Sequence, residues 1–371
     1  MLFSIFSTGN LGANWPPPEK DGSKSRARTS SPLRGTPDRT KHFTPPTLHV
    51  NILSMKRYQP NSRLITEARN PGTEKIDTLS TTRILRVINR EDARAAAQVR
   101  EAIPQIARAV DLIAEIFRNG GRMFYVGAGT SGRLGILDAS ECPPTFGTKP
   151  TMVQGIIAGG RRAVFRAIEG AEDGDGSGEI SAHGVTSKDA VVGIAACGQT
   201  RFVCTALGAA KKVGSKTVLI SSNPPGKNEP AVDVRITVVV GPEVIAGSTR
   251  MKAGTATKMV LNMLTTASMI KIGKTYGNLM VDLTAKSKKL RERALRIVAD
   301  LSGIRREEAG MYLKKAKGSA KVATVMARRG VGYREAVALL KESGGFLRGA
   351  LGEQDSPSSR DRKGQARETR Y

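Results

Sequence analysis

Two acidic groups in the sequence carry residues that could transfer protons. One is the segment Asp138-Ala-Ser-Glu141, near the end of a predicted helix. The other is Glu169-Gly-Ala-Glu172-Asp173, which follows the next predicted helix. Carboxyl groups act as general acid and general base when their surroundings keep one protonated and the other ionised. Taken alone, these residues fit a solvated acidic turn or a helix cap equally well.

Three loops that combine glycine with hydroxyl groups could bind a phosphate. They lie at 127–133, 197–200 and 247–252, and each leads into a predicted helix. Backbone amides at a helix N-terminus bind phosphate. Any one loop could be only a tight turn or an N-cap, but three at one edge of a sheet favour a monophosphate pocket. The hydroxyl-bearing residues are Thr130, Ser131, Thr200, Ser248 and Thr249.

Other ligands fit these loops poorly. The first loop matches G-x-G-x-x-G, but a dinucleotide site also needs an acidic residue about 20 positions further on, where the second predicted strand ends at Ala158 without one. No G-x-x-x-x-G-K-[ST] motif for nucleoside triphosphates occurs. Asp173 and Asp175 resemble the start of a calcium loop, but its last position is Gly184 instead of glutamate. NAD, nucleoside triphosphates and calcium are therefore disfavoured.

The composition indicates a globular chain with an aliphatic core. Among 371 residues 39% are hydrophobic and 4% are aromatic, with 40 glycines for tight turns. Three cysteines cannot form a disulfide framework and fit a reducing compartment. Two of the three histidines, His42 and His49, lie in a proline-rich tail, which disfavours a histidine metal site or a Ser/His/Asp hydrolase. We expect a cytoplasmic protein without a signal peptide or membrane span.

The chain is strongly basic, with 59 Lys and Arg against 33 Asp and Glu and a formal net charge of +26. Such a charge attracts polyanions, so nucleic acid remains an alternative partner. No zinc-finger spacing, RNP aromatic signature or heptad-bearing basic helix accompanies it. A solvated basic surface that attracts a small anionic substrate is the favoured interpretation.

Hydrophobic periodicity predicts an α/β fold with a doubly wound parallel sheet of five strands. Five short runs are apolar at both odd and even positions. They are separated by helix-length segments such as 162–168, 202–212 and 250–272. This pattern is typical of a parallel sheet covered by helices on both faces, with ligands at the carboxyl ends of the strands. The predicted strands are 123–126, 152–157, 190–196, 217–220 and 234–240.

The same patterns divide the chain into segments. Residues 1–54 are basic and rich in proline and serine, which predicts a disordered tail, and Met55 at its end is a candidate natural start. Helical spacing precedes the sheet between 77 and 118 and resumes after it in three short helices. The predicted segments are the tail (1–54), an N-terminal helical segment (55–120), the sheet domain (121–300), a small helical domain (301–352) and a polar tail (353–371).

Several contiguous blocks are more specific than the glycine pattern. They are Thr66-Glu67, Asn70-Pro71, Leu79-Ser-Thr81, 127–144, Ile157-Ala-Gly-Gly160, 169–173, 248–256 and 277–282. On these blocks, from about Leu64 to Leu351, the chain resembles the bacterial N-acetylmuramic acid 6-phosphate etherases, enzymes with a sugar isomerase (SIS) domain. Glucokinase regulatory protein, which binds sugar phosphates without turning them over, shares the general scheme. The block from Asp138 to Pro144 looks like the etherase version.

The resemblance implies a lyase that acts in cell-wall amino sugar catabolism and recycling. It removes D-lactate from the 3-position of N-acetylmuramic acid 6-phosphate and leaves N-acetylglucosamine 6-phosphate, with no metal or organic cofactor. The implied route opens the sugar ring, takes the C2 proton, expels lactate from C3 and adds water to the unsaturated intermediate. The resemblance also implies a homodimer whose active sites lie close to the subunit interface.

The resemblance further assigns roles to the candidate residues. It implies Glu141 as the proton donor and Glu172 as the second glutamate, which we interpret as the base. The phosphate would be bound by Thr130, Ser131, Thr200, Ser248 and Thr249. Burial against apolar neighbours is expected to raise the pKa of Glu141 and keep it protonated. Binding the phosphate would then place C2 and C3 between the two glutamates.

One loop departs from the family pattern. Where the family usually reads Ser-Gly-Arg-Thr, this chain reads Cys197-Gly-Gln199-Thr200. The loss of a hydroxyl and a guanidinium is expected to weaken phosphate binding unless Arg201 or the basic body compensates. A non-catalytic sugar-phosphate sensor therefore stays an alternative function. Cys197 and Cys204 are interpreted as small apolar residues rather than nucleophiles.

Overall fold

The computed structural model describes residues 64–226, 229–283 and 288–353 of the chain. The predicted tail at 1–54, the candidate start at Met55 and all but the first residue of the predicted tail at 353–371 lie outside these ranges. Those expectations therefore stay predictions.

Five short strands form one parallel sheet, which confirms the predicted fold class. The strand order is β2-β1-β3-β4-β5, and every neighbouring pair is parallel. Gly127 at the end of β1 is aligned with Ile157 on β2 and Ile194 on β3, so the loops that follow these strands start at one edge. The strands are β1 (Met123–Gly127), β2 (Val153–Ile157), β3 (Ala190–Ile194), β4 (Lys216–Ser221) and β5 (Val234–Thr237).

Helices precede, cover and follow the sheet. They are α1 (Thr81–Glu101), α2 (Ile103–Arg118), α3 (Gly129–Phe146), α4 (Gly160–Phe165), α5 (Ser177–Ala182), α6 (Arg201–Lys212), α7 (Lys252–Lys271), α8 (Lys288–Ser302), α9 (Arg306–Lys315), α10 (Ala320–Arg329), α11 (Tyr333–Glu342) and α12 (Leu347–Ala350). Short 3-10 helices at Ile65–Glu67, Pro71–Thr73 and Ile76–Thr78 precede α1, and another at Ala171–Asp173 follows α4.

Alternate strand residues enter two separate cores, which is why the strands are apolar on both faces. Met123 and Tyr125 pack in the cluster formed with α1, α2, α3 and α7. Phe124 and Val126 pack on the other face, against α5 and α6. Burial on both faces removes the solvent-exposed side that would give a strand a polar alternation.

The predicted helix at 162–168 is observed two residues earlier and ends sooner, as α4. Gly159 and Gly160 both have positive φ, which lets the chain turn directly from β2 into the helix. At the other end, the Arg133 guanidinium donates to the carbonyls of Val164 (3.1 Å) and Arg166 (2.9 Å). Carbonyls at the end of a helix need such partners, so Arg133 helps to end α4 at Phe165.

A third hydrophobic cluster holds the C-terminal helices together. Its buried residues include Ala294, Ile297 and Val298 of α8 as well as residues of α9 to α12. The buried Lys321 donates to the carbonyls of Gly273 and Gly345 at 2.8 Å each, which ties the end of α7 to this cluster. Helix α8 spans the predicted boundary at residue 300, and its packing places it with the C-terminal helices.

A buried ion pair joins α1 to the start of α7. Lys252 is 1% exposed, and its Nζ lies 2.5 Å from Oε2 of Glu91, which also accepts a hydrogen bond from Asn70 (3.0 Å). We expect Lys252→Met to lower the free energy of unfolding by about 3–5 kcal/mol, because the buried Glu91 would keep only Asn70 and the exposed Arg94 as partners. Urea denaturation measures this change. Lys271→Met, which breaks an exposed pair with Asp111, is the matched control and should cost at most about 1 kcal/mol.

The ion pair between Glu91 and Lys252 also predicts that the stability of the fold depends on pH. Burial raises the pKa of Glu91, but the hydrogen bond and the charge of Lys252 lower it by more than burial raises it. The pKa of Glu91 therefore lies below its ordinary value. A carboxylate whose pKa is lower in the folded than in the unfolded chain stabilises the fold at pH values above its pKa in the unfolded chain. That contribution is lost as the pH falls through its pKa in the folded protein. The stability difference between the unchanged protein and Lys252→Met should therefore narrow in acid; a difference that grows in acid would contradict the assignment.

Within the described residues, no helix is long and apolar enough to cross a membrane.

Candidate functional site

The first glycine loop brings the N-terminus of α3 against the carboxyl end of β1. A Cβ atom on Gly132 would lie 2.7 Å from the carbonyl oxygen of Gly127 and 2.6 Å from a side-chain carbon of Ile157. Only glycine allows the helix to approach the strands this closely. The close approach fixes where Thr130 and Ser131, on the first turn of α3, meet the edge of the sheet.

A cavity of about 450 Å³ lies at this edge of the sheet. Four of the five predicted phosphate-binding residues line it, namely Thr130, Ser131, Thr200 and Thr249. Ser248 is not among its lining residues, although its neighbours Gly247 and Thr249 are. The predicted loops therefore converge on one cavity, and the third contributes Thr249 in place of Ser248.

The second loop keeps a cation despite its departure from the family pattern. Cys197, Gln199, Thr200 and Arg201 all line the cavity, and Arg201 is the first residue of α6. Cys197 accepts a hydrogen bond from the amide of Gln199 (3.4 Å), and its sulfur lies 3.4 Å from the Thr200 hydroxyl. Arg201 is thus placed to supply the positive charge that Gln199 lacks.

A buried carboxylate occupies the N-terminus of α7. Glu243 is fully buried and accepts hydrogen bonds from the amides of Lys252 (3.2 Å) and Ala253 (2.9 Å). Burial raises the pKa of Glu243, against the opposing effect of these hydrogen bonds. Because Glu243 uses these amides, the third loop offers a ligand the Thr249 side chain and not the start of its helix. The sequence signal for this cap is weak, since Glu243 lies nine residues before Lys252, the first residue of α7.

Glu172 lines the same cavity as the phosphate-type loops. It lies on the 3-10 helix Ala171–Asp173, which the positive φ of Gly170 introduces. Its side chain is exposed, as is that of Asp173, which also faces the cavity. The structure therefore brings Glu172 together with Thr130, Ser131, Thr200 and Thr249.

Glu141 does not lie in this cavity. It follows Gly129 by twelve residues on α3, a rise of about 18 Å along the helix axis. There it lines a different cavity of about 270 Å³, together with Asp138 and Lys258. Within one chain the two glutamates therefore line separate cavities, and the expectation that they flank one ligand stays a prediction. Glu141 is also exposed, so the expected burial against apolar neighbours is not observed.

The half-buried carboxyl near Glu141 is Asp138. The Tyr125 hydroxyl donates to it at 2.9 Å and the Thr265 hydroxyl at 3.2 Å. Burial raises the pKa of Asp138 to about 6, and the two hydrogen bonds oppose that rise. Helix spacing places Asp138 one turn from Glu141, but its partners on β1 and α7 can be known only from the fold.

Two of the free cysteines have no nucleophilic setting. Cys142 is buried, and burial raises its pKa to about 12. Burial also raises the pKa of Cys204. Thiols that stay protonated are poor nucleophiles, which agrees with the interpretation of Cys204 as a small apolar residue, while that of Cys197 stays a prediction.

Sequence reasoning assigned no role to Glu67, although it lines the cavity with Glu172. Its only signal was the Thr66-Glu67 block that resembles the family. The segment that carries it lies more than 50 residues before β1, and only the fold brings it to the edge of the sheet.

The five-stranded parallel sheet and a family-model match define a protein of the SIS-domain class. Residues 105–211 match the family model described as the N-terminal SIS domain of glucokinase regulatory protein. Among solved structures, a phosphoheptose isomerase from Francisella tularensis aligns over 51% of this chain and 98% of its own, with a TM-score of 0.42 and 18% identity.

Curated relatives define the family more narrowly. Three proteins named N-acetylmuramic acid 6-phosphate etherase are similar over most of their length. Those from Photorhabdus laumondii and Geobacillus thermodenitrificans are each 50% identical, over 77% and 78% of this chain and 96% and 98% of their own. The one from Clostridium acetobutylicum is 51% identical over 78% of this chain and 96% of its own. The chain belongs to the N-acetylmuramic acid 6-phosphate etherase family, which confirms the resemblance inferred from the sequence.

Proposed function

We propose that the protein is a carbon-oxygen lyase that converts N-acetylmuramic acid 6-phosphate into N-acetylglucosamine 6-phosphate and D-lactate. The observation that carries the proposal is the single cavity lined by Thr130, Ser131, Thr200, Thr249 and Glu172. It combines hydroxyl groups and a helix N-terminus for a phosphate with a carboxylate for proton transfer. Membership of the etherase family supplies the substrate. Recycling of cell-wall sugar in the cytoplasm is the role that fits this reaction.

The proposed reaction needs the sugar to be held by its phosphate. Thr130 and Ser131 on the first turn of α3, with Thr200, Thr249 and Arg201, bind the 6-phosphate. Holding one end of the substrate turns proton transfer at the other end into a step within one complex, which lowers its entropic barrier. Glu172, in the same cavity, takes the proton from C2 of the ring-opened sugar. The bond between C3 and the lactyl oxygen then breaks, and water adds at C3.

The departing lactyl oxygen needs a proton, and we propose that Glu141 of the other subunit in a homodimer supplies it. Glu141 is exposed and lies about 18 Å along α3 from the phosphate loop, so it cannot serve the cavity of its own chain. A two-fold dimer places the same surface of each chain against the other. In that arrangement Glu141 of one subunit serves the cavity of its partner. Leu137, one turn before Glu141, is 50% exposed in the single chain, which fits a surface that the second subunit covers.

Release of D-lactate from purified protein tests the proposed function. With N-acetylmuramic acid 6-phosphate as substrate, we expect D-lactate and N-acetylglucosamine 6-phosphate in equal amounts. If the folded protein binds N-acetylglucosamine 6-phosphate but releases no lactate, the protein is a sugar-phosphate sensor and the lyase proposal is wrong. Arg201 in the altered second loop supports binding under both functions.

The phosphate-binding assignment predicts a loss of affinity in Ser131→Ala. Removing one hydroxyl that contacts a charged group should weaken binding of N-acetylglucosamine 6-phosphate by about 10-fold, measured by calorimetry. Ser140→Ala is the matched control, because Ser140 lies on the same helix outside this cavity and its hydroxyl bonds the carbonyl of Leu137. Equal affinities in the two variants would remove Ser131 from the phosphate site.

A further inference from the structure

Glu67 lies in the proposed active-site cavity on a segment that is firmly tied to the sheet. The preceding residue, Thr66, is 1% exposed. Its amide donates to Oδ1 of Asn223 (3.3 Å), and its hydroxyl accepts from Nδ2 of the same side chain (2.9 Å). Its carbonyl accepts a hydrogen bond from the amide of Gly247 (3.2 Å). The backbone that carries Glu67 is thus fixed by partners from two separate loops.

Asn223 extends this network to a third loop. It is 1% exposed, and its Nδ2 also donates to the carbonyl of Ala196 (3.0 Å), in the loop that follows β3. Buried side-chain amides with all these partners hold their neighbours in one geometry. The network therefore leaves the backbone that carries Glu67 little freedom beside the cavity.

Gly247 leaves room for the Glu67 carboxylate. A Cβ atom on Gly247 would lie 3.0 Å from Oε2 of Glu67, and the φ of Gly247 is +76°. Both observations disfavour any residue with a side chain here. The carboxylate therefore rests against the backbone of the loop that carries Thr249.

The Glu67 carboxylate has no protein partner, in contrast to carboxylates close by in the fold. Within the described ranges its side chain makes no hydrogen bond or ion pair. Glu91 and Glu243 each bond to lysine or to backbone amides. A carboxylate that lines the cavity without a hydrogen-bond or ion-pair partner among the described residues is free to bond to a ligand.

We propose that Glu67 is a third substrate-contacting carboxylate, which accepts hydrogen bonds from hydroxyl or acetamido N–H groups of the bound sugar. This inference rests on the proposed function. An ionised carboxylate repels a phosphate, so Glu67 contacts the uncharged part of the ligand while Ser131 and Thr200 hold the phosphate. Glu67 then contributes to selecting an amino sugar from other phosphates.

Two probes separate this role from a structural one. Glu67→Gln and Glu67→Ala are compared with the unchanged protein for binding of N-acetylglucosamine 6-phosphate and of inorganic phosphate. We expect affinity for the sugar phosphate to fall about 10- to 100-fold in Glu67→Ala, as for loss of a charged hydrogen bond, with a smaller loss in Glu67→Gln. Affinity for inorganic phosphate should be unchanged or higher, because a repelling charge has been removed.

Glu74→Gln is the matched control, because it removes an exposed carboxylate from the same N-terminal segment outside the cavity. It should leave both affinities unchanged. Equal losses for sugar phosphate and inorganic phosphate in the Glu67 variants would show a structural role, and no loss for either would show no contact; both results overturn the proposal. Lactate release by the unchanged protein is measured in parallel, so that a failure of the proposed function is recognised separately.

Discussion

Glu172→Gln is expected to release D-lactate about 100- to 10,000-fold more slowly than the unchanged protein. General-base catalysis by a positioned carboxylate contributes about this factor, and the amide cannot take a proton. Exchange of the C2 proton with deuterated solvent should fall with the rate of lactate release. Binding of N-acetylglucosamine 6-phosphate should persist, since Glu172 lies on the 3-10 helix Ala171–Asp173 and not on the phosphate-type loops.

Glu169→Gln is the matched control for this variant. Glu169 is exposed and lies three residues earlier in the same acidic segment, but it does not line the 450 Å³ cavity. The control should keep its rate of lactate release. Undiminished C2 exchange in Glu172→Gln would assign the base to another residue.

Mixed dimers are expected to recover activity that neither parent variant has. Glu141→Gln and Glu172→Gln should each be inactive as homodimers. If Glu141 of one subunit serves the cavity of its partner, a dimer of one variant with the other contains one cavity with both native glutamates. Random exchange then gives roughly one quarter of the unchanged protein's lactate release, as follows from two-fold symmetry.

Recovery of activity in mixed dimers distinguishes an active site shared by two subunits from one formed by a single chain. A mixture that stays inactive while exchange of subunits is demonstrated by mass spectrometry would show that each active site draws on one chain only. Glu335→Gln on α11, an exposed glutamate, mixed with Glu172→Gln controls for simple dilution. That mixture should show the activity expected from its native cavities alone.

The sheet could be predicted from the sequence because of where its residues pack. Strands β1 and β3 are buried on both faces, which gives apolar runs that only a covered parallel sheet produces. The close packing of Gly132 on Gly127 explains why the glycine loop was informative. The convergence of Thr130, Ser131 and Thr200 on one cavity followed from the strand order.

Helix α8 was not predicted, although its apolar residues recur at helical spacing. Ala294, Ile297 and Val298 are buried, and Leu290 and Leu301 pack partly buried against the same cluster. Its packing with the C-terminal cluster depends on partners such as Val281 and Leu313. Those contacts form only when the chain folds back on itself.

The electrostatics of the site could not be predicted from residue types. Asp138 and Glu141 lie one turn apart, yet Glu141 is exposed while Asp138 is half-buried and accepts hydrogen bonds from Tyr125 and Thr265. Thr265 is 127 residues away in sequence. The expectation of a buried Glu141 was wrong for the single chain because burial depends on such distant partners.

Isotope placement during turnover tests the central claim most directly. The reaction is run with N-acetylmuramic acid 6-phosphate in water labelled with ¹⁸O and deuterium, and both products are analysed by mass spectrometry. Elimination followed by addition of water predicts deuterium at C2 and ¹⁸O at C3 of the amino sugar, while D-lactate keeps its original ether oxygen. Lactate that carries ¹⁸O on its hydroxyl group, or an amino sugar without deuterium at C2, would contradict the account.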